Sequence, residues 1–286
     1  MIVSIKSELW KATHNRLYAA ACILGSVIAF INAVENISVV KNITDSIKLF
    51  VSKGFLLSTS LEGCSLFVNW LAVNHVSLGS QLLQYLWTII AAMPFSWSYA
   101  DDKKSGVYNQ IAIRRNIREY YISKYTATFL SGGLVTALPM VVNLMLNALI
   151  CPYCIPNVNN SLVNIFDGNF LSEVFYTYPW VHSLIWCLVC FILGGVTSCL
   201  CFLSGTHFKQ QVFAIIFPAS IYLVIDICVN YIGRLTFIPY ELSPMKLIFA
   251  ATGRQNSAIV ILIILSVLFS ISFFVGFWQV KKHELD

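Results

Sequence analysis

Few residues in this chain are typed and spaced for chemistry. Of nine cysteines, only Cys151 and Cys154 lie close together outside the apolar runs, in Cys-Pro-Tyr-Cys. A zinc site of the ordinary kind needs a second Cys or His pair. None is near, which leaves two loop thiols or a local disulfide. The histidines His14, His75, His182, His207 and His283 are isolated from one another. His-Glu-x-x-His and Gly-x-Ser-x-Gly are both missing, and so is the Gly-x-x-x-x-Gly-Lys-Ser/Thr loop that cradles ATP phosphates. The expectation is a chain with no catalytic, cofactor-binding or metal-ligating residues, which is not an enzyme and has no nucleic-acid partner.

Asp226 is the one formal charge well inside an apolar run, and Asn230 lies one helical turn beyond it. A carboxylate at mid-bilayer costs roughly 2.5–3.5 kcal/mol, so such groups face a bundle interior or water. The pair could line a substrate path. An acid near the outer interface, hydrogen-bonded to a neighbouring helix, explains it equally well.

Composition says what must position these residues. The chain has 286 residues, of which 58% are hydrophobic and 11% charged, against about 25% charged in a soluble domain. That scarcity points to lipid as the solvent. Long apolar runs at Leu17 to Val34, Leu82 to Ala100, Thr126 to Ile150, His182 to Leu203, Val212 to Ile232 and Ala258 to Trp278 are expected to be transmembrane helices. The fold expected is therefore all-α: one polytopic membrane domain over 1–286, with six spans. The N-terminal 1–15 segment reads as an interfacial helix, with Ile2, Val3, Ile5, Leu9 and Trp10 on one side and Ser4, Ser7, Glu8 and Lys11 on the other.

Charge placement supplies the direction. With six spans, Lys6, Lys11, Arg16, Lys103, Lys104, Arg114, Arg115, Arg118, Lys124, Lys209, Lys281 and Lys282 share one side, which is twelve of the 18 basic residues. The positive-inside rule then puts both termini in the cytoplasm. Segments 35–81, 151–181 and 233–257 become external. Phe55 to Val73 is expected as an external helix lying on or dipping into the outer leaflet, since a seventh span there would split the basic residues. The sequons at Asn36, Asn42 and Asn159 fall in external loops. Pro94, Pro139 and Pro218 permit bends within spans, and Gly132-Gly133 with Gly194-Gly195 permit close helix approach.

The cytoplasmic segment 101–124 carries the most information. Asp101-Asp102-Lys103-Lys104 is followed by Ser105 and Gly106, then by Val107, Tyr108 and Ile111, then by Arg114 and Arg115, before Lys124 opens the third span. A short amphipathic helix flanked by charge suits contact with a soluble partner. A basic loop that only fixes topology is the alternative.

This segment resembles the one between the second and third spans of ABC type-2 permeases, the membrane subunits of ABC exporters. There an acidic or polar run, a Gly, a short coupling helix, a basic residue and a Lys recur, and Gly106, Arg115 and Lys124 take those places. The resemblance extends to the interfacial N-terminal helix, the six spans and an apolar external segment before the last span. It implies a permease subunit that pairs with a second permease subunit, identical or related. It also implies separate ATP-binding cassette subunits, which hold the ATP and Mg. Coupling would fall on Gly106, Val107, Tyr108, Ile111, Arg114 and Arg115, and the cargo would be an apolar or amphipathic peptide, lipid or drug. The segment Phe237 to Ala251, with Pro239 and Pro244, looks like the re-entrant external helices of some members. The setting implied is a bacterial cell membrane. A stand-alone secondary transporter and a non-transporting membrane scaffold are the competing readings. The first would normally use more intramembrane charge than one Asp.

Overall fold

The computed structural model describes residues 2–54, 62–108, 110, 117–157, 163, 165–166, 169–208, 210–236, 243–250 and 258–282. Among them the regular structure is entirely helical. In chain order the helices are α1 (Ile2–Thr13), α2 (Arg16–Ser52), α3 (Leu78–Ala92), α4 (Ser98–Lys104), α5 (Ile117–Ile150), α6 (Ser172–Thr177), α7 (Pro179–His207), α8 (Gln211–Thr236) and α9 (Ala258–Lys282). Four of them, α2, α5, α7 and α8, are long and apolar enough to cross a membrane. Within α9 the stretch Ser266–Trp278 adds a shorter apolar helix.

Helix α5 is central and packs on α7, α2, α1, α3 and α9. Its union with α7 is close because glycines face each other. A Cβ on Gly133 would stand 2.6 Å from the Phe191 carbonyl oxygen, and one on Gly195 would stand 2.9 Å from that of Phe129. The expected role of these paired glycines is therefore met as backbone-to-backbone contact. Pro139 and Pro218 lie within continuous helices. The outer surfaces stay apolar, with Ile23 and Phe30 on α2, Leu149 on α5, Leu184 on α7 and Phe274 on α9 all exposed.

Several expected elements differ. The run Leu82 to Ala100 is not one helix: α3 ends at Ala92, residues 93–97 form a turn, and α4 resumes at Ser98. Pro94 supplies the reason, because it lacks the N–H that would continue the helix ladder to the Ile90 carbonyl. Within the turn that follows, Ser96 Oγ donates to Ala92 O and Trp97 Nε1 to Met93 O. Helix α3 alone, at about 22 Å by its 1.5 Å rise, is shorter than a hydrocarbon core of about 30 Å. Conversely α2 continues past Val34 to Ser52, since 35–52 holds neither Gly nor Pro to stop it. At about 55 Å it is longer than any bilayer needs.

The described part of Phe55 to Val73 is not a helix either. A 3₁₀ turn, Glu62–Cys64, leads into turns that bury Phe67, Trp70, Leu71 and Val73 among the helices. The described part of Phe237 to Ala251 is a second buried 3₁₀ turn, Pro244–Ile248. The two meet, the Ala250 N–H donating to the Ala72 carbonyl at 2.8 Å. Together they form an irregular plug at the end of the bundle opposite α1 and α4.

Candidate functional site

The polar centre of the α1 and α4 end is Lys124, whose side chain is 2% exposed. It comes from the first turns of α5, the part that extends α5 below the expected span. Its Nζ lies 2.7 Å from Asp102 Oδ2 on α4, donates to the Ser98 carbonyl at 3.1 Å and lies 3.9 Å from Glu8 Oε2 on α1. The rings of Phe95 and Tyr120 flank it at 5.3 and 5.4 Å. Tyr120 Oη donates to the same Asp102 oxygen at 2.7 Å, and Glu8 Oε1 takes the Lys11 ammonium at 2.8 Å. Three helices are thus joined through one buried cation, two carboxylates and a phenol. Asp101, the neighbouring acid, points elsewhere and accepts from Gln211 Nε2 at 3.1 Å, which ties α4 to the start of α8.

This arrangement packs the polar side of the expected wheel against the bundle. Ser4, Glu8 and Ala12 form the buried stripe, and Ser4 Oγ meets Ser123 Oγ at 3.3 Å, while Trp10 is exposed. Packing this side brings Glu8 to the buried Lys124. It also leaves Trp10 facing outward, where an indole suits lipid headgroups.

The sequence-predicted coupling residues sit directly below. Gly106 has φ +74°, in the left-handed region, and a Cβ there would meet nothing within 4 Å, so glycine answers to backbone conformation and not to space. Val107 is exposed and Tyr108 is buried. Tyr108 packs edge-on to Tyr99 of α4 and to Tyr120 of α5, with ring centroids 5.7 and 5.9 Å apart. Those rings belong to an aromatic cluster continuing through Tyr121, Tyr125 and Phe202. The residue after the glycine turn is therefore open to a partner while the next is bolted to the bundle. Ile111, Arg114 and Arg115 lie outside the described residues.

The other candidate pair lies at the plug. Asp226 is buried and accepts hydrogen bonds from Asn230 Nδ2 at 3.0 Å and from Ser243 Oγ, and Asn230 Oδ1 accepts from Lys246 Nζ at 3.0 Å. Both residues thus hold the segment 243–250 to α8. Indole donors complete the fixation, with Trp87 Nε1 on the Met245 carbonyl at 3.2 Å and Trp186 Nε1 on that of Ile248 at 3.0 Å. In an apolar interior, non-helical backbone must find such partners. Helices α7, α8 and α9 leave an apolar crevice of about 390 Å³ that runs toward the α7–α8 connection and is lined by Leu200, Leu203, Phe217, Ile221, Tyr222 and Leu268.

Sequence reasoning missed an amide cluster that fixes the first plug segment. Asn36 Nδ2 donates to Asn32 Oδ1, to Asn147 Oδ1 and to the Asn69 carbonyl at 3.0–3.1 Å. Asn143 Oδ1 accepts from the Leu71 N–H at 2.9 Å, and Asn147 Nδ2 also reaches the Asn69 carbonyl. Asn36 is wholly buried, so that sequon is part of the core, while Asn42 is exposed. Asn159 lies outside the described residues. The spacing of Asn32 with Asn36 and of Asn143 with Asn147 was the available signal, since each pair shares a helix face. His182 is buried, stacked at 11° on Trp186 with both ring nitrogens unpartnered.

No protein-family model matches this chain, and neither does any curated protein.

Proposed function

We propose that the chain is the membrane permease subunit of an ATP-driven exporter of the ABC type-2 kind. It would sit in a bacterial cell membrane with six spans and both termini in the cytoplasm. A second permease subunit, identical or related, would complete the path, and ATP-binding cassette subunits would bind and hydrolyse ATP with its Mg. One observation carries the reading: exposed Val107 follows a glycine turn and precedes a Tyr108 buried against α4 and α5, directly beside the Lys124, Asp102 and Glu8 node. A push on this segment from a soluble partner would be delivered to α1, α4 and α5 together, as coupling requires.

The opposite end supports the same reading. The plug is held by discrete hydrogen bonds from α3, α7 and α8, so helix tilting would break a countable set of them and free the outer end. Asp226 and Asn230 would enter the path when 243–250 moves off them. The apolar crevice between α7, α8 and α9 suits an apolar or amphipathic cargo such as a peptide, lipid or drug. Copurification in mild detergent tests the proposal. An ATPase subunit should accompany the chain, and Gly106→Val, which forces a β-branched residue into left-handed backbone without a clash, should lower ATP turnover of the complex while the chain still folds. No retained ATPase, or turnover indifferent to this turn, would overturn the assignment.

A further inference from the structure

The loop after α5 crosses the first plug segment, and the crossing places cysteines together. Ser65 Oγ donates to the Cys154 carbonyl at 2.6 Å, and the Leu66 N–H donates to the Pro152 carbonyl at 3.1 Å. Because 65 meets 154 while 66 meets 152, the two strands run in opposite directions. Stepping back from Leu66 to Cys64 therefore moves forward along the loop, from Pro152 through Cys154. Cys151 lies off the other end, its N–H still bound to the Asn147 carbonyl at 2.8 Å within the last turn of α5.

We propose that Cys64 and Cys154 form a disulfide on the external face that staples the plug to the end of α5. The inference rests on the outward placement of 35–81 and 151–181 under the proposed function, because a disulfide persists in an oxidising compartment and not in the cytoplasm. Cys64 is wholly buried, and Cys154 is partly open to solvent. Burial, with the nearby Cys154 charge second, pushes the Cys64 thiol up from its ordinary range. Burial, with Cys64 second, pushes Cys151 up to about 11. Both buried sulfurs are thus held as thiols, and Cys154 is the one that an oxidant reaches.

The chemistry needs an external disulfide oxidant, either a thiol–disulfide oxidoreductase or a low-molecular-weight disulfide. The Cys154 thiolate attacks one oxidant sulfur, forming a mixed disulfide and expelling the first oxidant thiol. Cys64 then loses its proton and attacks Cys154 Sγ, expelling the second. Two protein thiols give up two electrons and two protons, and one oxidant disulfide becomes two thiols.

The test uses the full chain in membranes quenched with an alkylating reagent, digested without reduction and mapped by mass spectrometry. The expected product is a peptide containing Cys64 joined to one containing Cys154, separating on reduction, with Cys151 recovered alkylated. Recovery of Cys64 as an alkylated thiol, or joined to Cys151, or a Cys151 to Cys154 bond, overturns the pairing. Cys64→Ser should take labelling of Cys154 by a membrane-impermeant maleimide on unreduced intact cells from undetectable to near complete. Labelling of this variant only after permeabilisation refutes the outward placement, and with it the proposed topology, while the peptide map alone decides the pairing.

Discussion

Replacing Lys124 with Met keeps the length and apolar stem of the side chain but removes its ammonium. Among the described residues Asp102 would keep only the Tyr120 hydroxyl as a nearby donor, and Glu8 only Lys11, whose side chain is 58% exposed. Removing one partner of a buried ion pair leaves an uncompensated buried charge and costs about 3–5 kcal/mol. The 2.7 Å contact to Asp102 and the 2% exposure of Lys124 put this site within that regime. For a chain of this size each kcal/mol moves Tm by about 2–4 °C, so Lys124→Met should melt about 6–20 °C lower in detergent, followed by tryptophan fluorescence. The triple variant Glu8→Gln, Asp102→Asn, Lys124→Met should regain most of that loss, since replacing all the charges removes the desolvation penalty that created it. A single variant melting within about 3 °C of the parent, less than the smallest shift this cost implies, would show that the charges are not buried together. A triple variant no better than the single would refute the electrostatic reasoning.

Two further outcomes follow from the plug and the helix crossing. Trp87→Phe and Trp186→Phe each leave a buried carbonyl, of Met245 or Ile248, without its donor, and each should cost about 1–3 kcal/mol by thermal unfolding, with earlier proteolytic cleavage within 243–250. Gly133→Ala sets a Cβ 2.6 Å from the Phe191 carbonyl oxygen, where a backbone atom must yield, so α5 and α7 should separate at about 1–3 kcal/mol, while an alanine at Gly54, which has nothing within 4 Å, acts only through its φ of +79°.

What could be read before the fold was known depended on how local its cause is. Apolar runs and the paired glycines of α5 and α7 report on their own neighbourhoods, and they were legible. The break at Pro94 was local too, although composition alone ran the helix through it. The orientation of α1 was not legible, because the residue that turns Glu8 inward lies on α5, beyond any helical period. The plug was hidden for the same reason: its backbone is satisfied by Asn36, Asn143, Trp87 and Trp186, each distant in sequence. Pattern singled out Gly106, Val107 and Tyr108, whereas the seat of Tyr108 between Tyr99 and Tyr120 required the packing.

The buried stripe of α1 also constrains the order of assembly. A chain is made from its N-terminus, and Ser4 and its contact Ser123 are 119 positions apart. Helix α1 is therefore made long before the lysine that will meet Glu8 exists. Docking requires both α4 and the start of α5, so it cannot precede the synthesis of residue 124. Lys124 thus sets the earliest point at which the N-terminal helix can lock onto the bundle, because until it is made Glu8 has no buried cation to meet.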